Sequence, residues 1–316
     1  MGLYLGIDTG SVSANLALID EDEDLLDSLY LRTNGDPIGA VKCGLANLSN
    51  KFGSGSISGV GVTGSARELI GILVGADIVK NEITAHAIAA IKALPEVKTV
   101  IEIGGQDSKI IVIRNGVVVD FAMNTVCAAG TGSFLDHQAE RLGIAIERFG
   151  DCALRAKSSV RIAGRCTVFA ESDMIHKTAT GSGKDEIIKG LCEALTRNYL
   201  GNVAKGKEIL SPILFQGGVA ANAGMKVALH EALKLEIIVP GNYAIMGAIG
   251  IAIIAKNRTK GKTKFKGFDV FETPATTRSF DCSDCSNGCE VIELRTGKED
   301  RAYLGGRCGK WEEIRS

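Results

Sequence analysis

Twice along the chain an apolar strand enters a turn of glycine and small polar residues and leaves it as a second apolar strand. The first such unit opens with Leu3-Tyr4-Leu5-Gly6-Ile7-Asp8-Thr9-Gly10-Ser11, the second with Val100-Ile101-Glu102-Ile103-Gly104-Gly105-Gln106-Asp107-Ser108. Strands joined by tight turns pair antiparallel, and Asn115-Gly116 predicts a further hairpin into residues 117–122. Helical periodicity covers residues 37–50, 66–73 and 84–94 in the first half, with a short strand at 59–63. The second half reads as helices at 132–142, 167–177, 185–203 and up to about 233, strands at 212–215 and 236–239, and a small-residue helix at 244–254. The halves do not align residue by residue, so the duplication is one of architecture. The expected class is α/β, with subdomains at 1–95 and 96–255, a basic linker at 256–267 and a Cys-rich tail at 268–316.

Composition narrows the function. The chain has 316 residues and a net charge of −1, which argues against a global attraction to nucleic acid or to an anionic membrane. The lysines of the 256–267 segment come without a recognisable nucleic-acid fold. Its N-terminal residues lack a basic, apolar leader, and the apolar run at 247–255 is too short to span a bilayer. A cytoplasmic location is expected. In a reducing compartment, the nine cysteines point to metal binding or redox chemistry rather than disulfides.

The two turns have the parts of a phosphate site. Small residues let backbone N–H groups approach phosphate oxygens, and an acid at a strand end can hold Mg²⁺ through water. Asp8, Gly10 and Ser11 supply these in the first turn; Gly104, Gly105, Gln106 and Asp107 supply them in the second, with Glu102 close by. Asp8 and Asp107 are the candidates for Mg²⁺ and water positioning. Gly217-Gly218-Val219-Ala220-Ala221-Asn222 would let backbone pass an adenosine, through Gly217, Gly218, Val219 and Asn222. Thr180-Gly181-Ser182-Gly183-Lys184 is not a P-loop, because Thr178 replaces its first glycine and Asp185 its last hydroxyl residue.

The order of these segments, with Val62-Thr63-Gly64-Ser65 as a connecting motif, resembles the actin, sugar-kinase and heat-shock ATPase superfamily over residues 3–255. The resemblance implies a duplicated actin-like, ribonuclease H-like fold with an interdomain nucleotide cleft, binding ATP or ADP with Mg²⁺.

Two cysteines stand apart in glycine-rich segments. Val126-Cys127-Ala128-Ala129-Gly130-Thr131-Gly132 and Gly164-Arg165-Cys166 each precede a predicted helix, where the dipole favours a thiolate. By chemistry alone they are either packing residues or half of a Cys₄ set completed by a two-fold partner. The segments resemble the activator component of 2-hydroxyacyl-CoA dehydratases and its relatives among benzoyl-CoA reductase ATPase subunits and double-cubane-protein reductases. That resemblance implies a homodimeric ATPase bridged by one [4Fe-4S] cluster on Cys127 and Cys166. Such a protein takes electrons from a ferredoxin or flavodoxin and drives them at low potential into a partner iron–sulfur dehydratase or reductase. The superfold also permits a small-molecule kinase or a regulatory ATPase without a redox role.

Cys282, Cys285, Cys289 and Cys308 surround a predicted hairpin, 291–294 with 302–304, that turns at Gly297. Zn²⁺, an iron–sulfur cluster and four free thiols all fit. Cys43, Cys152 and Cys192 read as helix packing residues.

Overall fold

The computed structural model describes residues 2–124, 127–270, 275–296 and 300–311. Its elements in chain order are β1 (Leu3–Thr9), β2 (Ser13–Ile19), β3 (Leu25–Arg32), α1 (Pro37–Ser49), β4 (Ile57–Thr63), α2 (Arg67–Val74), β5 (Ile78–Val79) and α3 (Glu82–Ala93). Then follow β6 (Thr99–Ile103), β7 (Ser108–Arg114), β8 (Val117–Asn124), α4 (Gly132–Leu142), α5 (Phe149–Arg155), α6 (Thr167–Ala179), α7 (Lys184–Asn202), β9 (Ile213–Gln216), α8 (Ala223–Leu233) and β10 (Ile237–Ile238). The chain ends with α9 (Met246–Arg258), β11 (Ala275–Asp281), β12 (Glu290–Thr296) and β13 (Asp300–Leu304). Two compact units result: residues 1–85 with 247–316, and residues 86–246.

Each unit is built on a five-stranded sheet, and the two sheets share one topology. The first runs β3-β2-β1-β4-β5, antiparallel from β3 to β1 and parallel from β1 to β5. The second runs β8-β7-β6-β9-β10 with the same senses in the same places. The expected duplication is therefore real at the level of strand order. Central strands are covered on both faces, so β1, β4, β6 and β9 are nearly continuous apolar runs. Leu5, Ile7, Leu16, Val60 and Val62 pack with Val41, Leu45, Ile70 and Leu73 in the first core. In the second, Leu191, Leu195 and Tyr199 recur every four residues along α7 and meet Ile101, Ile110, Phe134 and Phe215.

The observed division, after Ala85 and after Met246, differs from the sequence-expected boundaries. The reason is α9. A Cβ on Gly6 would lie 1.9 Å from the Ala248 carbonyl oxygen, one on Gly61 2.5 Å from that of Ile251, and one on Gly250 1.8 Å from that of Ala85. These glycines let α9 lie directly against the first sheet, which accounts for its small-residue composition.

The 256–267 segment is not a free linker. The α9 helix extends to Arg258, Thr263 Oγ1 donates to Asp77 Oδ2 at 2.6 Å, and Lys266 N donates to the Val74 carbonyl at 3.0 Å. Nor is the tail separate. Its sheet, β11-β12-β13, is antiparallel throughout, and Phe268, Leu294 and Ala302 belong to the first unit's core. The strand β11 had no sequence signal strong enough to predict it, and the expected turn at Gly297 lies outside the described residues.

Candidate functional site

In the first unit, adjacent strand ends bring the polar residues together. Asp8 on β1 stands in register with Asn15 on β2 and Thr63 on β4. The turn after β1 closes with Gly10 N donating to the Ser13 carbonyl at 2.9 Å, and Thr33 Oγ1 holds the Ser11 carbonyl at 2.5 Å. Gly64 follows β4 at φ +94°, where a Cβ would lie 2.4 Å from the Thr9 carbonyl oxygen. Only glycine lets the connecting motif come this close. Asp8 is buried, as are Thr9 and Thr63. Among the described residues, Thr9 Oγ1, Thr63 Oγ1 and Asn15 Oδ1 have no hydrogen-bond partner. Buried polar atoms in native proteins are overwhelmingly paired, so three orphans around one turn suit a polar ligand or water seated there.

In the second unit the turn closes alike, with Gly104 N donating to the Asp107 carbonyl at 3.0 Å. Its chemistry differs. Lys109, which the sequence reading passed over, is 2% exposed and donates to Glu102 Oε2 and to Asp107 Oδ1, both at 2.8 Å. The Tyr199 hydroxyl donates to the Lys109 carbonyl at 2.8 Å, and burial together with the Glu102 charge raises the Tyr199 pKa well above its usual value. Asp107 and Glu102 thus share a buried ammonium. The sequence signal was partial: a lysine leading an apolar run on a central strand needs an acidic partner, but the run does not say which.

Gly217, at φ +89°, would place a Cβ 2.5 Å from the Ile103 carbonyl oxygen and 2.6 Å from Glu102 Oε1. Gly218 is exposed, Val219 is buried, and Asn222 caps α8 by accepting from Met225 N at 3.1 Å while its Nδ2 stays unpartnered. Gln216 Nε2 donates to His86 Nδ1 at 2.8 Å. Burial, with the Lys109 charge second, pushes His86 down to about 3, so the imidazole is neutral. Gln106 is exposed in the second turn.

The second turn is tied to the cysteine region. Gly132 N and Ser133 N, the first amides of α4, donate to the Gly104 and Gly105 carbonyls, each at 2.8 Å. Ser133 Oγ adds a bond to the Gly105 carbonyl at 2.6 Å. Cys166 is the N-cap residue of α6, as expected. Cys127 is displaced: it precedes the single 3₁₀ turn Ala128–Gly130, and α4 begins only at Gly132 with Thr131 as its N-cap. Thr125 and Val126 lie outside the described residues. Both thiols are half-buried.

Two asparagines bring the cysteine segments together. Asn124 brackets Cys127, accepting from its N–H at 2.9 Å and donating to its carbonyl at 2.8 Å. Asn198 on α7 donates to the Gly164 carbonyl at 2.5 Å, and its Oδ1 is 2.7 Å from where a Gly130 Cβ would stand. One α7 side chain therefore touches both segments. Arg141 on α4 pairs with Glu171 on α6 at 2.7 Å.

The remaining cysteines divide. Cys152 and Cys192 are buried, and burial pushes the Cys192 thiol up to about 12, as befits a packing residue. Cys43 is exposed on α1, contrary to expectation. Cys282, Cys285, Cys289 and Cys308 lie beside the third sheet. Among the described residues, no group of three or more His, Cys, Asp or Glu side chains is placed to hold a metal. The 180–183 turn is an ordinary solvated connection, with Gly183 N donating to Glu186 Oε2 at 3.2 Å.

Known proteins fit this geometry. The (R)-2-hydroxyglutaryl-CoA dehydratase activating ATPase of Acidaminococcus fermentans is 33% identical over 258 residues, covering 81% of this chain and 98% of that protein. The crystal structure of the A. fermentans dehydratase component A has a TM-score of 0.75 at 32% identity, covering 82% of this chain and 99% of that one. The activator of the Clostridium difficile 2-hydroxyisocaproyl-CoA dehydratase, solved with bound ADPNP, has a TM-score of 0.74 at 29% identity over 81% of this chain and 95% of that one. The fold is thus that of the actin-like activator ATPases. The profile of one family spans residues 5–255, both five-stranded sheets and the turns between their strands, and the chain belongs to that family, the BadF/BadG/BcrA/BcrD ATPases.

Proposed function

We propose that this chain is an ATP-driven, low-potential electron donor, acting as a homodimer that shares one [4Fe-4S] cluster. The observation that carries the reading is the hydrogen-bonded seam between the second phosphate turn and α4. Through it, a ligand that moves Gly104 or Gly105 pulls on the segment carrying Cys127.

Asp8, with Thr9 and Thr63, would hold Mg²⁺ through water, and the orphaned hydroxyls supply polar contacts. Gly10, Ser11, Gly104, Gly105 and Gln106 offer backbone to the phosphates. Gly217, Gly218, Val219 and Asn222 border the adenosine. Lys109 holds Asp107 and Glu102 in place, so Asp107 orients water from a fixed position.

The donor set suits an iron–sulfur cluster. Two half-buried thiols from one chain and two from a partner complete a Cys₄ site, and α6 adds exposed Val168 and Phe169 beside Cys166 for a second copy to cover. Bound there, the cluster supplies one-electron chemistry. Asn124 and Asn198 hold the thiol segments, and the Arg141–Glu171 pair couples α4 to α6. The electron source is a ferredoxin or flavodoxin, the acceptor an iron–sulfur dehydratase or reductase, and the location the cytoplasm. The relatives above are named as dehydratase activators, which favours this reading over a small-molecule kinase.

Anaerobic protein should be brown and show an electron-paramagnetic signal after reduction. Cys127→Ser and Cys166→Ser should each lose that iron and electron transfer yet still bind ATP; unaltered iron content in both would overturn the assignment. Asp8→Asn should lower ATP hydrolysis by about 100-fold, the scale of losing one preorganised electrostatic contact.

A further inference from the structure

The tail lies beyond the family profile, which ends at residue 255, so its chemistry must be read from this chain alone. Three features of its backbone converge on one end of the β11-β12-β13 sheet. Asp281 and Glu290 form the last pair of β11 with β12, so Cys282 and Cys289 flank the same end, and Cys282 N donates to the Cys289 carbonyl at 2.8 Å. Between them Cys285 sits in a turn closed by Gly288 N donating to its carbonyl at 3.3 Å. The third strand then returns to that end: Gly305, at φ +97°, would place a Cβ 2.4 Å from the Glu290 carbonyl oxygen, and Cys308 follows three residues later. Trp311 secures this last stretch, its ring 5.0 Å from Phe280 and 5.2 Å from Tyr303.

We propose that Cys282, Cys285, Cys289 and Cys308 form a tetrathiolate site for a single zinc ion that fastens this end of the third sheet. Backbone hydrogen bonds gather Cys282, Cys285 and Cys289, and metal binding would draw the four thiols, which are not grouped around one point in the metal-free fold, onto the ion, each losing its proton. The Cys-x₂-Cys-x₃-Cys spacing with a fourth distant cysteine falls in the range of structural zinc sites. The setting favours a redox-inert ion over a cluster. Cys285 and Cys308 are exposed, and the loop between the first three cysteines is Ser283, Asp284, Ser286, Asn287 and Gly288, with no apolar shell. The sheet so fastened carries Leu294 and Ala302, a cross-strand pair that belongs to the first unit's core.

The test uses the full chain carrying Cys127→Ser and Cys166→Ser, so that any metal belongs to the tail. Elemental analysis of anaerobic protein should find one zinc per chain and no iron. Adding Cys285→Ser should weaken zinc retention by at least about tenfold, the scale on which even supporting groups act. Should that variant fail to fold, the parent still decides. Trp311 is the only tryptophan, so stripping zinc with a mercurial and a chelator should move its emission to the red, and zinc should restore it. Protein without stoichiometric metal, protein that keeps an iron–sulfide chromophore, a Cys–Cys disulfide in this group, or Trp311 emission indifferent to stripping would each overturn the proposal.

Discussion

The two glycine turns, one in each unit, share a backbone and differ in charge. Asp8, registered between Asn15 and Thr63, has Glu102 as its counterpart, registered between Lys109 and Gln216. Both turns close on a glycine amide, Gly10 or Gly104, and both are approached by a positive-φ glycine, Gly64 or Gly217. Geometry is thus duplicated down to single residues. Where the first unit has a neutral asparagine, the second has a buried lysine bridging two carboxylates. Among the described residues, both turns keep orphaned polar atoms, the Thr9 and Thr63 hydroxyls in the first and the Ser108 hydroxyl and Gln216 Oε1 in the second, but only the second bridges its carboxylates with a lysine and grips α4. Duplication has conserved the frame and divided the labour.

The largest expected effect comes from removing the difference. Lys109→Met takes the ammonium from the buried Glu102 carboxylate and should cost about 3–5 kcal/mol in urea unfolding, because breaking a buried pair leaves buried charge uncompensated, whereas Asp107, a third exposed, is solvated. Asn15→Met at the matching position should cost less than about 1 kcal/mol, since its Oδ1 is already unpaired. Equal losses would break the comparison. Gly64→Ala and Gly217→Ala test the shared frame instead. Each forces a side chain into a left-handed conformation against a carbonyl and should cost about 1–3 kcal/mol or more. A tolerant Gly64 beside an intolerant Gly217 would show that the frames are not equivalent.

Much of this was legible in sequence. The strand–turn–strand units, the Gly217 loop and the helix after Cys166 announce themselves by periodicity and glycine placement. The pairing of Glu102 with Lys109 was not, because neighbouring strands set it by register rather than by local pattern. The boundary after Met246 was hidden for a related reason. The small-residue α9 looks like the end of the second half, and only the glycines of β1 and β4, far away in sequence, reveal where it packs. Asn124 and Asn198 act through backbone carbonyls of distant segments, contacts that leave no spacing signal.

A third prediction concerns His86, which belongs to the second unit alone. Its folded pKa of about 3 lies below its unfolded value of 6.5, so the unfolded chain binds the extra proton between those limits. The stabilisation is complete above pH 6.5 and drains as pH falls toward 3, with a slope of at most about 1.4 kcal/mol per pH unit. His86→Gln should flatten that part of the profile; an unchanged slope would assign it to other groups.

The smallest effect sharpens the comparison most, because it separates frame from ligand. After β9 the helix α8 is capped by Asn222, whereas α2, its counterpart after β4, has Ala66 at its N-cap and no side-chain cap. Asn222→Ala should cost about 1 kcal/mol in stability. Asn222→Asp keeps the accepting oxygen and should stay within a few tenths of a kcal/mol of the parent, since aspartate caps as well as asparagine. It replaces Nδ2, a buried donor with no partner among the described residues, by a charged oxygen, so Asn222→Ser serves as the uncharged control that keeps an accepting cap. If that donor serves the nucleotide, Asn222→Asp should weaken ATP binding by about tenfold, the equivalent of one lost hydrogen bond, while its unfolding curve overlays the parent's. Unchanged ATP affinity would return Asn222 to the frame and leave the adenosine to the backbone of Gly217 and Gly218.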